Sequence, residues 1–298
     1  MKHAVLGILL VGSLALGTSA YADSDPPTGA PVVKLLSAGN APRKALRLVA
    51  RPGYHQTVVM TMAMGMSMQS GGKDLVPMTR MPEMRMTLDL AVTSVAANGD
   101  MRCTFKITKP GLAPDPNAAP AVVEAMTKSI AGMDGTSGYA VLTSRGFTRE
   151  ADFQVGPNVD PQLKQLLDGM RQSLHQLAAP LPAEPIGKGA RWETTMTLEI
   201  NGMNLTQVAT YELVELAGRS AKLAVTLTQR AGHQKIQRNG MSFDLISLAS
   251  SGSGNMTIDL AQLIASPATI SISSASEMEA MGQKMNMKLD MTMGIARK

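Results

Sequence analysis

Methionine occupies every second position in a stretch around residue 64 of this 298-residue chain, and a stretch near the C-terminus has the same pattern. Successive side chains of a β-strand point to opposite faces of the sheet, so a period of two places these methionines on one face. The first stretch contains Met60, Met62, Met64, Met66 and Met68, and the second contains Met285, Met287, Met291 and Met293. The pattern therefore predicts long amphipathic strands, each with a methionine-rich face.

Two further stretches of alternation extend this sheet. A strand is predicted over 84–95, and it begins with Met84 and Met86 on one face. Asn98-Gly99 is a typical two-residue hairpin turn, and it leads into another strand over 101–108. These two strands should therefore be antiparallel neighbours.

Glycine and serine clusters predict where other strands end. The residues over 70–77, SGGKDLVP, are expected to form a loop after the first methionine strand. Farther along, strands are predicted over 245–250 and 255–260, with Ser251–Gly254 as the turn between them. Cys103 falls on the inward side of its strand, so we expect a buried and unreactive thiol.

Two segments have helical rather than strand periodicity. Apolar residues recur every three or four positions over 120–133 and again over 160–177, where Asp160 and Pro161 suit a helix start. Together with the alternating segments, they predict an α+β fold. The expected architecture is a strongly curved antiparallel sheet, similar to a half-barrel, packed on two or three helices.

The N-terminal residues read as an export signal. A short basic start precedes the apolar stretch 4–16, and Ala20-Tyr21-Ala22 is a small-x-small cleavage site. We therefore expect export to the periplasm or the exterior, with a soluble mature chain after cleavage near Ala22. No later window reaches the roughly 18 apolar residues that a membrane span requires.

The predicted domain organisation follows from these segments. Residues 1–22 form the signal peptide, and 23–45 form a flexible, proline-containing segment. The remaining residues, 46–298, form one curved-sheet domain. Because the strand pattern partly recurs after residue 185, this domain could consist of two related halves, 46–179 and 186–298.

Several classes of function are disfavoured by composition and motifs. The formal net charge is only +5, there are nine aromatic residues, and no basic run occurs, so nucleic acid is not an expected partner. Ser144–Gly146 lacks the Gly-x-Ser-x-Gly pattern of a nucleophile elbow, and Ser251–Gly254 lacks the strand-to-helix context that such an elbow requires. We therefore expect a protein that is not an enzyme and has no cofactor.

The order of strands and helices resembles the curved half-barrel of bacterial periplasmic lipoprotein carriers and related lipid binders. The segment 181–192, LPAEPIGKGARW, also resembles the Pro-rich, Gly-x-x-Trp passage of an uncharacterised family of bacterial secreted proteins with Met/Thr-alternating strands. The first resemblance implies binding of acyl chains or lipidated proteins. The second implies a layout but no activity.

The methionines support two hypotheses about binding. Their flexible, polarisable side chains can mould an apolar face around a hydrophobic small molecule or a lipidated partner protein. The predicted ligand-binding residues are Met60, Met62, Met64, Met66, Met68, Met84, Met86, Met285, Met287, Met291 and Met293. Alternatively, the thioethers of Met62, Met64 and Met66 could bind Cu(I), although His55 falls on the opposite face of a regular strand. A structural module of the cell envelope without a small ligand is the third reading, and the oligomeric state stays open.

Overall fold

The computed structural model describes residues 26, 30–116, 118–154, 180–200, 202–238, 241–280 and 282–298. Within these ranges the chain forms thirteen β-strands and one α-helix. The first half contains β1 (Val32–Ser37), β2 (His55–Ser70), β3 (Lys73–Val95), β4 (Met101–Leu112), α1 (Pro120–Ala131), β5 (Ser137–Leu142) and β6 (Thr148–Gln154). The second half contains β7 (Arg191–Ile200), β8 (Met203–Ala217), β9 (Ser220–Ala231), β10 (Gln234–Arg238), β11 (Met241–Asp259), β12 (Ala268–Ala280) and β13 (Gln283–Arg297).

The predicted α+β class is wrong, because the described residues are almost wholly β rather than a sheet covered by two or three helices. Helix α1 is present where the sequence predicted it, and it packs against β4. Only its C-terminal turn is buried, at Ile130, while Val122 on the expected apolar stripe is exposed. The helix predicted over 160–177 lies outside the described residues.

All of these strands belong to one antiparallel sheet. Its order is β1-β7-β8-β9-β11-β12-β13-β2-β3-β4-β5-β6, and β10 pairs with β11 outside this path. The segment 180–190 contacts strands near both ends of this strand order. On one side, the Leu181 N–H donates to the Arg145 carbonyl at the β5–β6 turn (2.9 Å). At the start of β7, the Trp192 indole N–H donates to the Pro180 carbonyl (2.9 Å). In a flat sheet β5 and β7 would lie roughly 40 Å apart at about 4.8 Å per strand, so the sheet must be strongly curled.

Loop segments close one end of the curled sheet and contribute to its core together with strand residues. The Leu48 N–H donates to the Ser144 carbonyl (2.7 Å), and the Val49 N–H donates to the Leu260 carbonyl (2.6 Å). The largest fully buried side chains are Trp192, Phe147, Leu46, Met101, Leu181, Ile186, Leu213, Leu223, Leu245, Val58 and Val92. We call the sheet face that continues into this core the inner face, and the opposite one the outer face.

Strand β1 lies within 23–45, a segment that the sequence predicts to be flexible. It pairs with β7, with Val33 opposite Thr194 and Leu35 opposite Trp192. Its six residues, VVKLLS, alternate too briefly for a period of two to stand out, and Val32 is exposed at the sheet edge. Pairing with a distant strand therefore decides its conformation, and local pattern does not.

Two strands are longer than the sequence indicated. The predicted loop 70–77 is a tight turn at Gly71-Gly72 followed by the first part of β3. Register shifts in the β2–β3 pairing lie beside Pro77 and Pro82, where proline cannot donate a ladder hydrogen bond. Likewise, β11 runs without a break through Ser251–Gly254, where the sequence pattern predicts a turn.

The glycines of β11 are required by close backbone approach. A Cβ on Gly254 would lie 2.1 Å from the Thr269 carbonyl oxygen, and one on Gly252 would lie 2.7 Å from the Ser271 carbonyl oxygen. Both contacts are with the neighbouring strand β12. The SGSG sequence therefore permits tight pairing and does not mark a turn.

Substituting Gly254 with alanine is expected to lower the free energy of unfolding by about 1–3 kcal/mol, because β12 must shift to admit the new Cβ. Ser253→Ala is the matched control: Ser253 is exposed on the outer face of the same strand, so its effect should stay within about 0.5 kcal/mol. Urea unfolding followed by circular dichroism measures the free energy of unfolding of both variants. Equal stability of the two variants would contradict the close approach.

Candidate ligand-binding face

The two methionine-rich strands are direct neighbours, although more than two hundred residues separate them in sequence. Strand β13 pairs with β2, and β2 pairs with β3. Met293 lies opposite Met62, and Met62 lies opposite Met84. Directly opposed residues of an antiparallel pair share a face, so these methionines form a cross-strand row.

This arrangement repeats along the strands. The directly opposed methionine pairs are Met60–Met86, Met62–Met84, Met64–Met81, Met293–Met62, Met291–Met64 and Met287–Met68, and Leu289 faces Met66. Met285 is the next residue after Met287 on the same face of β13, toward the start of the strand, and it lies opposite Met278 of β12. We call the eleven methionines predicted from sequence the methionine face, and all of them lie on the inner face of β2, β3 or β13.

Each member of the methionine face is partly exposed, and none is fully buried. At one end the face joins the core, because Met60, Met84 and Met86 pack against buried residues. Toward the other end of the strands, Met285 lies opposite Met278, which packs against a second buried cluster that contains Leu245. Helix α1 packs against β4, so this helix does not form a layer over the methionines.

The outer face of the same strands is polar. On β13 the exposed residues Lys288, Asp290 and Thr292 alternate with the methionines. The Ser273 hydroxyl of β12 donates to the Asp290 carboxylate (2.5 Å), and the Thr57 hydroxyl of β2 donates to the Asp89 carboxylate (2.7 Å). The difference between the two faces is that expected of a sheet with one face in water and the other against apolar material.

The candidate copper ligands lie in succession on one face of β2, as the sequence pattern predicts. Met62, Met64 and Met66 follow one another along β2, so alternate residues are nearly 7 Å apart in the backbone. Opposed Cβ atoms are closer, at about 4.5–5.5 Å, which makes Met293–Met62–Met84 a more compact set of thioethers. Within the described ranges, no three His, Cys, Asp or Glu side chains come together in a way that could hold a metal ion.

A polar row on the inner face was missed by the sequence analysis. The Gln229 amide donates to the Gln207 side-chain oxygen (2.8 Å), and the Ser274 hydroxyl donates to the Ser250 hydroxyl (2.8 Å). Register places these four residues side by side across β8, β9, β11 and β12. The sequence does contain one signal. Gln229 alternates with Leu227 and Ala231, at a position where the pattern predicts an apolar residue. We call Gln207, Gln229, Ser250 and Ser274 the polar row.

Cys103 lies inside the core, as the sequence predicted. It is 2% exposed, and its thiol donates to the Ala140 carbonyl (3.3 Å). Burial raises the pKa of the Cys103 thiol to about 11. A protonated and inaccessible thiol is a poor nucleophile.

The free energy of unfolding is expected to fall as the pH rises from about 9 to about 11, because unfolded Cys103 releases its proton in this window while the folded state retains it. Below pH 9 the residue contributes no pH dependence. Cys103→Ala should remove a slope of about 1 kcal/mol per pH unit at most. Urea unfolding of both proteins at pH 8, 9, 10 and 11 measures the difference, and identical slopes would contradict the burial of the thiol.

Among the described residues, no helix combines the length and the apolar character that crossing a membrane requires.

Comparison with known proteins finds a partial similarity to one family and no activity. Residues 154–262 match the model of DUF6263, a family of unknown function. The matched stretch contains β7 to β11, and with them Trp192 and three members of the polar row. No curated protein matches the chain. The chain is therefore similar to this family over less than half of its length.

Proposed function

We propose that this protein is an exported, non-enzymatic binding protein that holds hydrophobic ligands, or the acyl chains of lipidated partners, on its methionine face. The observation that carries the proposal is the direct opposition of partly exposed methionines across β13, β2 and β3. A patch of thioether side chains adapts to chains of different length and bend, since each methionine has three rotatable side-chain bonds.

The energetics favour an acyl chain as the occupant. Each methylene group removed from water contributes about 0.8 kcal/mol, so a chain of moderate length that is only half covered by protein gains useful affinity. The polar outer face provides no comparable surface. Export, with a signal peptide over 1–22, would place such a protein where lipids and lipidated proteins cross an aqueous compartment.

The test is native mass spectrometry of the protein purified from its own host without detergent, together with titration of the uncharged fluorescent probe Nile red. A co-purifying mass in the lipid range and saturable fluorescence enhancement are expected. A bare polypeptide mass and no fluorescence response would overturn the proposal. Amino-terminal sequencing of the same sample tests export, because a start near Asp23 is expected and a start at Met1 would contradict it.

Binding of Cu(I) is a second candidate function, favoured by the cross-strand set Met293–Met62–Met84. Soft thioether sulfurs select Cu(I) over harder cations. The triple leucine variant at these positions conserves volume and should retain Nile red binding. Under the copper hypothesis it loses Cu(I) in an anaerobic competition with bicinchoninate, whereas Met60→Leu, outside the set, does not. Absence of Cu(I) binding by the unmodified protein would eliminate this candidate.

A further inference from the structure

The inner face carries no charged side chain over three consecutive cross-strand rows. The first of these rows contains Trp192, Tyr211, Val225, Gly254, Ile270, Met293, Met62 and Met84. The second contains Thr194, Ala209, Leu227, Gly252, Ile272, Met291, Met64 and Met81. The third contains Met196, Gln207, Gln229, Ser250, Ser274, Leu289, Met66 and Thr79. Each row crosses the same strands, from β7 to β3.

Charges are abundant on the same strands but point the other way. Lys288 and Asp290 alternate with the methionines of β13, and Glu193 alternates with Trp192 and Thr194 of β7. The neutrality of the inner face is therefore a property of one side of the sheet and not of the composition. An ionised ligand group placed on it would have no counter-charge within these rows, and burying an unpaired charge is strongly unfavourable.

Uncharged hydrogen-bonding groups are nevertheless present beside the methionine face. The polar row lies in register with Leu289 of β13 and Met66 of β2, so hydroxyls, amides and apolar side chains belong to one continuous row. Its Gln207 amide nitrogen also lies 3.7 Å from the Met196 sulfur. A ligand in this row could contact methionines and polar groups at the same time.

One polar group in this region has no partner. Ser276 follows the polar row on β12, 7% exposed, and its hydroxyl oxygen makes no hydrogen bond within the described part of the chain. Its cross-strand neighbours on the inner face are Leu248 and Met287. A buried hydroxyl without a partner is unfavourable, and an approaching oxygen atom would satisfy it.

We propose that the preferred ligand is an uncharged lipid of the acylglycerol class. This inference rests on the proposed function and specifies its ligand. The acyl chain lies along the methionine face, and the hydroxyl and ester oxygens of the head exchange hydrogen bonds with the polar row and Ser276. Fatty-acid anions are disfavoured because these three rows of the inner face offer them no cation.

The test compares ligands that share a sixteen-carbon chain: 1-monopalmitoylglycerol, palmitate and hexadecylamine, each measured at pH 8 by displacement of Nile red from the full protein. Monopalmitoylglycerol should bind at least about ten-fold more tightly than either ion, a factor that corresponds to 1.4 kcal/mol. Palmitate binding as tightly as monopalmitoylglycerol would overturn the inference and leave the proposed function standing. Failure of Nile red and of all three ligands to bind would overturn both.

Variants of the polar row separate recognition of the head from burial of the chain. Gln229→Leu combined with Ser274→Ala should weaken monopalmitoylglycerol binding by about five-fold, and by more than it weakens Nile red binding, since neutral hydrogen bonds contribute about 1 kcal/mol. The matched control is Thr228→Ala combined with Ser273→Ala, which alters the exposed outer positions beside the same residues. An unchanged preference in the polar-row variant would place the lipid head elsewhere and overturn the assignment.

Discussion

Replacing Trp192 with alanine is expected to lower the free energy of unfolding by about 3–5 kcal/mol. The indole is fully buried and stacks on the Tyr211 ring with centroids 5.4 Å apart. Its N–H also donates a hydrogen bond to the Pro180 carbonyl (2.9 Å), which belongs to the segment that connects the two ends of the curled sheet. The alanine variant therefore leaves a large cavity and an unpaired carbonyl at the point where the sheet closes on itself.

Trp192→Phe separates these two contributions. The phenyl ring retains most of the packing against Tyr211 but cannot donate to Pro180, so an intermediate loss of about 1–3 kcal/mol is expected. Val214→Ala serves as the control, because Val214 is exposed on the neighbouring strand β8. Urea unfolding should be followed by circular dichroism, since the only tryptophan is altered. A loss below about 1 kcal/mol in Trp192→Ala would contradict the closure of the sheet through this residue.

The alternation of the sequence identified the faces of the strands correctly. Met60 to Met68 share one face of β2, His55 is exposed on the other, and Asn98-Gly99 forms the expected turn into β4. A period of two follows from local backbone geometry alone. Information of this kind is contained in a few consecutive residues, so it can be read without knowledge of the fold.

Pairing between distant strands could not be read in this way. No local sequence pattern indicates that β13 pairs with β2 and not with β4. That pairing nevertheless brings Met293 opposite Met62. The same limitation explains the error at Ser251–Gly254, where glycine is required by the approach of β12. The α+β prediction failed because the strands extend through segments that resemble loops, so the described residues are almost wholly β.

The polar row shows a further limit of sequence reasoning. Gln207, Gln229, Ser250 and Ser274 come from four different strands, and each looks like an isolated interruption of an apolar pattern. Only the register of three strand pairs places them side by side. The combined surface, methionines beside neutral hydrogen-bonding groups, is therefore a property of the sheet and of no single segment.

Replacing Met64 with lysine is expected to weaken the binding of Nile red and of monopalmitoylglycerol by at least about ten-fold, which corresponds to 1.4 kcal/mol. Met64 lies in the middle of the methionine face, between Met291 and Met81 of the adjacent strands. An ammonium group there must be desolvated when an apolar chain covers it, and the inner face has no carboxylate in these rows to compensate. Because Met64 is partly exposed, the free protein can direct the lysine head to water and remain folded.

Two matched variants make this prediction specific to the face. Thr292→Lys introduces the same charge on the outer face of β13, where the residue is exposed, and it should bind both probes as the unmodified protein does. Met64→Leu conserves volume without charge and should change affinity by no more than about three-fold. Unchanged binding by Met64→Lys would show that ligands bind elsewhere. Equal losses in Met64→Lys and Thr292→Lys would attribute the effect to net charge, and either result would remove the methionine face as the ligand site.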